Sequence, residues 1–231
     1  MGRRAGVSLR PVITSRDNEK LKLVRKLHER RWRDKLGLFV VEGEDLLAGD
    51  VDPVELLIAG ETVEPELLAE VSTLAHPPRV IAVYRRDDLP RGVRPVTLAL
   101  WHVADPGNVG TLFRAADAFG AGVALSKGCA DPTGPKALRG AMGAVWRVPV
   151  SAFDESGGTR VALVPHGGTP LPELALDGDV VLVLGAEREG VPREVLERCD
   201  AQASIPQTGG AESLNVAIAG AIALYEVCGR R

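Results

Sequence analysis

Between residues 96 and 184 five short apolar runs, at 96–103, 121–125, 145–150, 161–164 and 180–184, alternate with segments of helical pattern. Runs this short and this uniformly apolar suit strands buried on both faces, the condition of a parallel sheet covered by helices. The alternation predicts an α/β fold with a mostly parallel sheet and helices on both of its faces. Trp101 and Trp146 sit in or beside such runs and are expected in the core. A smaller α/β unit is expected ahead of it, with strands at Leu38 to Gly43, 54–59 and 80–84 and a helix near 64–72. The polar stretch Arg85 to Pro95, bracketed by prolines, is the linker candidate, dividing the chain into residues 1 to about 90 and about 93–231.

Charge separates the same two regions. Residues 1–40 hold 12 Lys/Arg against 4 Asp/Glu, whereas the remaining 191 residues hold 16 against 27. A basic end on an otherwise acidic chain suggests a face that meets a polyanion, most simply nucleic acid; a solvated helix face is the plainer alternative. Residues 1–16 look like a flexible basic leading segment. From Asn18 to about Leu36 the stripe Leu21, Val24, Leu27 predicts one basic amphipathic helix, with Lys20, Lys22, Arg25, Lys26, Arg30, Arg31 and Arg33 on its remaining surface. No apolar run approaches the roughly 20 residues of a membrane span, so a soluble protein with no membrane partner is expected. Cys129, Cys199 and Cys228 are odd in number and widely spaced, which fits neither a disulfide framework nor a zinc site. A reducing cytoplasm and no metal are the corresponding expectations.

Three glycine-bearing loops mark the candidate site. Asp105-Pro-Gly-Asn-Val-Gly110 leads into a helix for which Asn108 is a suitable N-cap and Gly120 a left-handed stop. Arg114 lies off that helix's apolar stripe, either pairing with Asp117 or reaching an anionic substrate. Val180 to Gly190 is a buried strand that stops at Gly185, where the carboxyl end of a parallel strand faces a ligand crevice. Residues 205–213 form a third turn, with Ser213 as the expected cap of a helix beginning at Leu214. That helix is apolar on nearly every side, so it should be buried between layers or at a subunit contact. Neither G-x-G-x-x-G after the first strand nor G-x-x-x-x-G-K-[ST] occurs, so the usual dinucleotide and P-loop fingerprints are missing.

The segments Asn108-x-Gly110-x-x-x-Arg114-x-Ala116-x-x-Phe119-Gly120, Leu184-Gly185-x-Glu187-x-x-Gly190 and Ile205-Pro206-x-x-Gly209-x-x-Glu212-Ser213-Leu214-Asn215 resemble, in order and spacing, motifs one to three of the SpoU (TrmH) branch of the SPOUT methyltransferases. Cys129 to Arg139, followed by Gly143 and Arg147-Val-Pro149, is similar to the family's segment between its first two motifs. Ile13 to Asp34 and Phe39 to Gly43 look like the ribosomal-protein-like RNA-binding domain found ahead of many members. The resemblance implies S-adenosylmethionine (SAM) as cofactor, with S-adenosylhomocysteine as product. It also implies an RNA ribose 2'-hydroxyl as methyl acceptor, a deep trefoil knot and a homodimer whose active site draws on both subunits. On it, Asn108, Arg114 and Asn215 correspond to catalytic positions, and Leu184, Gly185, Glu187, Gly190, Ile205, Pro206, Ser213, Leu214 and Asn215 to cofactor-binding ones. Lys136 and Arg139 join the basic leading region as RNA contacts. Ala186, Arg188 and Gln207 depart from residues common in the motifs.

Large-subunit rRNA is the first substrate class expected and tRNA the second. A non-catalytic RNA-binding or ribosome-assembly protein of the same fold is the alternative from another class; a doubly wound oxidoreductase suffers from the missing fingerprint. Methyl transfer to a hydroxyl needs in-line alignment and a proton acceptor. Arg114 suits orientation of the hydroxyl or a phosphate and stabilisation of a developing alkoxide, because arginine keeps its proton; the base stays open. Asn108 is expected to position Arg114 or the ribose, and Glu187 to fix loop geometry.

Overall fold

The stripe Leu21, Val24, Leu27 is fully buried on α1 (Glu19–Leu27), which Asn18 caps by accepting from the Lys20 N–H at 2.9 Å, in a computed structural model that describes residues 12–210 and 212–230. Most of the leading segment expected over residues 1–16 lies outside the described residues. The single helix expected to Leu36 is broken: Glu29 is extended (φ −92°, ψ 132°) and α2 (Arg30–Leu36) begins anew. His28 Nε2 is 2.7 Å from the Val71 carbonyl, and Arg33 donates to the carbonyls of Leu27 at 2.9 Å and His28 at 2.8 Å. The two Arg33 bonds satisfy carbonyls that the end of α1 leaves open, and His28 meets a carbonyl at the end of the helix Pro65–Val71. Arg33 is therefore an internal residue, 4% exposed, and not part of an RNA-facing surface.

β1 (Leu38–Glu42), β2 (Glu55–Ile58), α3 (Pro65–Val71) and β3 (Val80–Arg85) complete the first of two compact units, Met1–Arg86 and Asp87–Arg231. The strands form an antiparallel sheet in the order β1-β3-β2, with Val40 opposite Val83. Glu42 is buried but fully engaged, accepting from Ser72 Oγ at 2.6 Å and the Thr73 N–H at 2.8 Å, which is what keeps a buried carboxylate tolerable.

The second unit runs β4 (Val96–Leu100), α4 (Pro106–Ala118), β5 (Gly122–Leu125), α5 (Pro135–Ala141), β6 (Val150–Ala152), β7 (Thr159–Leu163), β8 (Thr169–Pro170), β9 (Val180–Leu184), α6 (Arg193–Leu196), β10 (Ala201–Ser204), α7 (Val216–Cys228). Its seven strands pair in parallel in the order β6-β5-β4-β9-β7-β10-β8. β4 and β9 are buried at all five positions and stand side by side, as their unbroken apolar sequences require. The first run ends at Leu100, not 103, because His102 turns the chain at φ 53° and donates its N–H to Ser126 Oγ at 3.0 Å. The run 145–150 is not a strand: Ala144–Trp146 is a 3-10 turn and β6 starts only at Val150. Trp101 and Trp146 are half-buried; Trp101 stacks on His102 and meets Phe153 edge-on. Part of the expected linker is tied down, since Gly92 donates to the Val150 carbonyl and Val150 to the Pro90 carbonyl, both at 3.1 Å. Nor is α7 buried all round: Ile218, Ile222 and Tyr225 are 53%, 39% and 67% exposed. No helix among the described residues is long and apolar enough to cross a membrane.

α4 and α5 meet backbone to backbone. A Cβ at Gly110 would stand 2.3 Å from the Ala137 carbonyl oxygen and 2.9 Å from Gly140 Cα. Gly110→Ala should therefore separate the helices at an overpacking cost of about 1–3 kcal/mol. The expected result is a melting temperature lowered by about 5 °C. Gly157→Ala, which meets nothing within 4 Å, should melt with the parent. Equal melting of both variants in a thermal scan would show that the close approach of the helices does not need glycine.

Candidate active site

The sequence Asp-Pro sets the start of α4. Pro106 occupies the first turn, where its missing N–H costs nothing, and Asp105 caps the helix by accepting from the N–H groups of Gly107 at 2.6 Å and Asn108 at 3.1 Å. Asn108, the expected cap, instead lies inside the helix with its side-chain amide free to act elsewhere. It donates to Glu187 Oε1 at 3.0 Å and accepts from Asn215 Nδ2 at 3.1 Å. Asn215, not Ser213, caps α7, accepting from the N–H groups of Ala217 at 2.9 Å and Ile218 at 3.3 Å. A cap must present its oxygen to the helix, so Asn215 has only its NH2 left for Asn108, and Asn108 then has only its own NH2 for the carboxylate. One donor-acceptor chain thus joins the loop after β9, the start of α4 and the start of α7.

Glu187 also accepts from the backbone N–H groups of Asp105 at 3.2 Å and Ala104 at 3.4 Å. Partial burial disfavours its charge, but the hydrogen bonds from Asn108 and the backbone outweigh burial and hold its carboxyl below the usual range. Asp105 is likewise held low, first by Lys136 Nζ at 2.9 Å and then by the capped N–H groups.

Behind this chain lies a cavity of about 530 Å³ at the carboxyl ends of β7, β9 and β10, walled by residues 163–165, 184–191, 205, 207, 213–216 and 219. Ligands bind in that position in open α/β sheets. Its floor is aliphatic, from Leu163, Leu184, Leu214 and Ala219. At the rim, the backbone groups of Gln207, Ser213 and Leu214 make no hydrogen bond to other described residues. The β9 loop closes on itself: Ala186 and Gly190 exchange N–H···O bonds of 3.1 and 2.9 Å, Gly190 takes φ 68°, and a Cβ at Gly185 would fall 2.0 Å from the Gly190 carbonyl carbon. Glycine is required at both ends of that turn.

Of the residues expected at a cofactor site, Leu184, Gly185, Glu187, Gly190, Ile205, Ser213, Leu214 and Asn215 line this cavity, and Pro206 does not. Asn108 reaches the lining residues Glu187 and Asn215 by hydrogen bonds. Arg114 is exposed on α4, outside the lining, and makes no hydrogen bond or ion pair with another described residue. The alternative pairing with Asp117 is not formed, because Asp117 takes Arg147 at 2.6 Å. Lys136 and Arg139 are exposed on α5, Lys136 bound to Asp105. Sequence reasoning misses Leu163, Val164 and Pro165, although the run 161–164 places a strand end there. No group of three or more His, Cys, Asp or Glu among the described residues is arranged to hold a metal.

Similarity to known proteins bears on this geometry. Residues 95–225 match the SpoU rRNA methylase family, and residues 18–86 match the MRM3-like substrate binding domain. The chain is 33% identical over 245 residues to the 23S rRNA (guanosine(2553)-2'-O)-methyltransferase RlmP of Bacillus subtilis, covering 94% of this chain and 99% of that protein. Among solved structures it is similar to an AdoMet-bound rRNA methyltransferase from Sinorhizobium meliloti, with TM-score 0.84, 28% identity, and 95% and 97% of the two chains covered. The SpoU methyltransferase AviRb of Streptomyces viridochromogenes, in complex with AdoMet, gives TM-score 0.81 at 25% identity over 93% and 98%. With more than half of its length, residues 95–225, matched by the family model, the chain belongs to the SpoU rRNA methylase family.

Proposed function

We propose that this chain transfers a methyl group from SAM to a ribose 2'-hydroxyl of large-subunit rRNA, in the cytoplasm. The observation that carries the proposal is the cavity at the ends of β7, β9 and β10, locked by Asn108 to the helix that bears Arg114. The relatives named above act on 23S rRNA or hold AdoMet, which supports both the substrate class and the cofactor.

The cavity's donor set fits SAM. An aliphatic floor suits the adenine ring, and unengaged backbone groups at Gln207, Ser213 and Leu214 offer donors and acceptors to its polar edge and to a ribose. SAM, when bound, supplies an electrophilic methyl on a sulfonium. The chain's own residues do the rest. Glu187 and Asn215 hold the two motif loops against α4 through Asn108, which fixes the distance between cavity and α4. Arg114, uncommitted within the described residues, is the cation that orients the acceptor hydroxyl or its phosphate and offsets charge developing on the oxygen. The exposed apolar face of α7, Ile218, Ile222 and Tyr225, is where a second copy docks, and the trefoil knot implied by the family belongs to the same reading.

The direct test incubates purified protein with labelled SAM and rRNA, tRNA or intact subunits, then identifies modified nucleosides by mass spectrometry. A 2'-O-methylnucleoside in rRNA is expected, and Arg114→Ala should lower its rate of formation about 10²-fold with SAM affinity unchanged. A base-methylated product, or label in tRNA alone, contradicts the proposal.

The charge states add a pH expectation. Glu187 and Asp105 are both held below their ordinary carboxyl range, so the order they impose is fully present above about pH 5 and is lost as pH falls below about 4. SAM affinity measured by calorimetry should be flat from pH 8 to 5, and Glu187→Gln should weaken it about tenfold throughout. A transition near pH 6.5 in the parent would assign the control to a different group.

A further inference from the structure

The basic surface of α1 and α2 is less free than its sequence suggests. Lys20 pairs with Glu55, Lys22 with Glu19 at 3.0 Å, and Arg30 with Asp34 at 3.6 Å, while Arg25 donates to the Arg16 carbonyl at 3.0 Å beside Glu70. Arg33 is buried. Lys26 and Lys35 are different: both are exposed, and neither pairs with a carboxylate among the described residues. They share one neighbour. Lys26 Nζ lies 5.3 Å and Lys35 Nζ 5.2 Å from the ring centroid of the half-buried Trp32, with Arg31 Cζ at 5.7 Å. Arg31 also holds Glu29 at 2.7 Å, so the cluster carries two unbalanced positive charges around one indole.

Attraction of a half-buried ring at the surface for each ammonium is weak and leaves their mutual repulsion largely unrelieved. An incoming anion relieves it. Phosphates alone would explain the lysines but not a tryptophan kept at the surface. A nucleobase supplies the missing partner, provided it is unpaired, because bases inside a duplex are already stacked on one another. Cations beside an aromatic platform are how proteins grip single-stranded nucleic acid.

We infer that Trp32 stacks an unpaired base of the RNA substrate while Lys26 and Lys35 hold the flanking phosphates. The inference rests on the proposed reading of the chain as an RNA-modifying enzyme and adds a residue, Trp32, to its substrate contacts.

The test compares a fluorescein-labelled short oligouridylate with its abasic counterpart of equal charge, by anisotropy, for the parent, Trp32→Ala, Trp32→Phe and the Lys26→Ala/Lys35→Ala pair. The parent should prefer the base-bearing strand by about tenfold, the scale of one stacked base. Trp32→Ala should lose that preference, and Trp32→Phe should keep most of it. The double lysine variant should weaken both strands alike and reduce the log–log salt slope by about 0.7 for each phosphate that is no longer neutralised. A far-UV spectrum and melting temperature of Trp32→Ala equal to the parent's check that its first unit has folded. A parent that binds both strands equally, or a Trp32→Ala protein that keeps the preference, overturns the inference, and an acidic peptide that outcompetes the oligouridylate assigns the cluster to a protein partner. These outcomes are separate from the enzyme reading, which stands or falls on the methylated product and the RNA that carries it.

Discussion

The side-chain amide of Asn108 holds the second unit's working end together. It stands inside the first turn of α4, where a polar side chain has no helical duty once Asp105 has taken the cap. Its NH2 donates to a carboxylate held in its charged form, and its oxygen accepts from the cap of α7. Hydrogen bonds to charged groups contribute about 1.5–3 kcal/mol, enough to set the relative position of two loops that have little regular structure of their own. The loop after β9 is kept in shape by Gly185 and Gly190, but what it is fixed against is α4. The cavity and Arg114 are thereby carried on elements with one common joint.

Charge is organised differently in the two units. In the first, Lys20 and Arg25 reach carboxylates distant in sequence, Glu55 on β2 and Glu70 on α3, while Lys22, Arg30 and Arg31 pair with carboxylates close to them in sequence. Surface pairs of this kind contribute little individually. Their effect is to leave Lys26 and Lys35, beside Trp32, as the helix cations without a carboxylate partner among the described residues. In the second unit Lys136 and Arg147 are tied to Asp105 and Asp117, so Arg114 stands as the uncommitted cation of the α4 helix.

The strands were legible because burial on both faces leaves no polar residue to interrupt Val180 to Leu184 and only Thr97 to interrupt Val96 to Leu100. Their order was not, since the placement of β9 between β4 and β7 depends on pairings far apart in sequence. The glycine turns could be located but not explained: that Gly185 must lack a Cβ follows only from the Gly190 carbonyl folding back on it. Cap assignment failed at Asn108 and Ser213 for one reason. Several good capping residues lie close together in each loop, and which one caps depends on tertiary partners, Lys136 for Asp105 and Asn108 for Asn215. The basic face of residues 18–36 was visible as a pattern, whereas the burial of Arg33 required the break between α1 and α2.

The most direct measurement is the calorimetric affinity of Asn108→Ala for SAM beside that of the parent, with melting temperature as a control. If Asn108 holds the two loops in place, SAM affinity falls by about 10- to 100-fold while affinity for protein-free 23S rRNA is retained. If Asn108→Ala binds SAM as the parent does and fails only in methyl transfer, Asn108 acts on the substrate itself and does not join the loops.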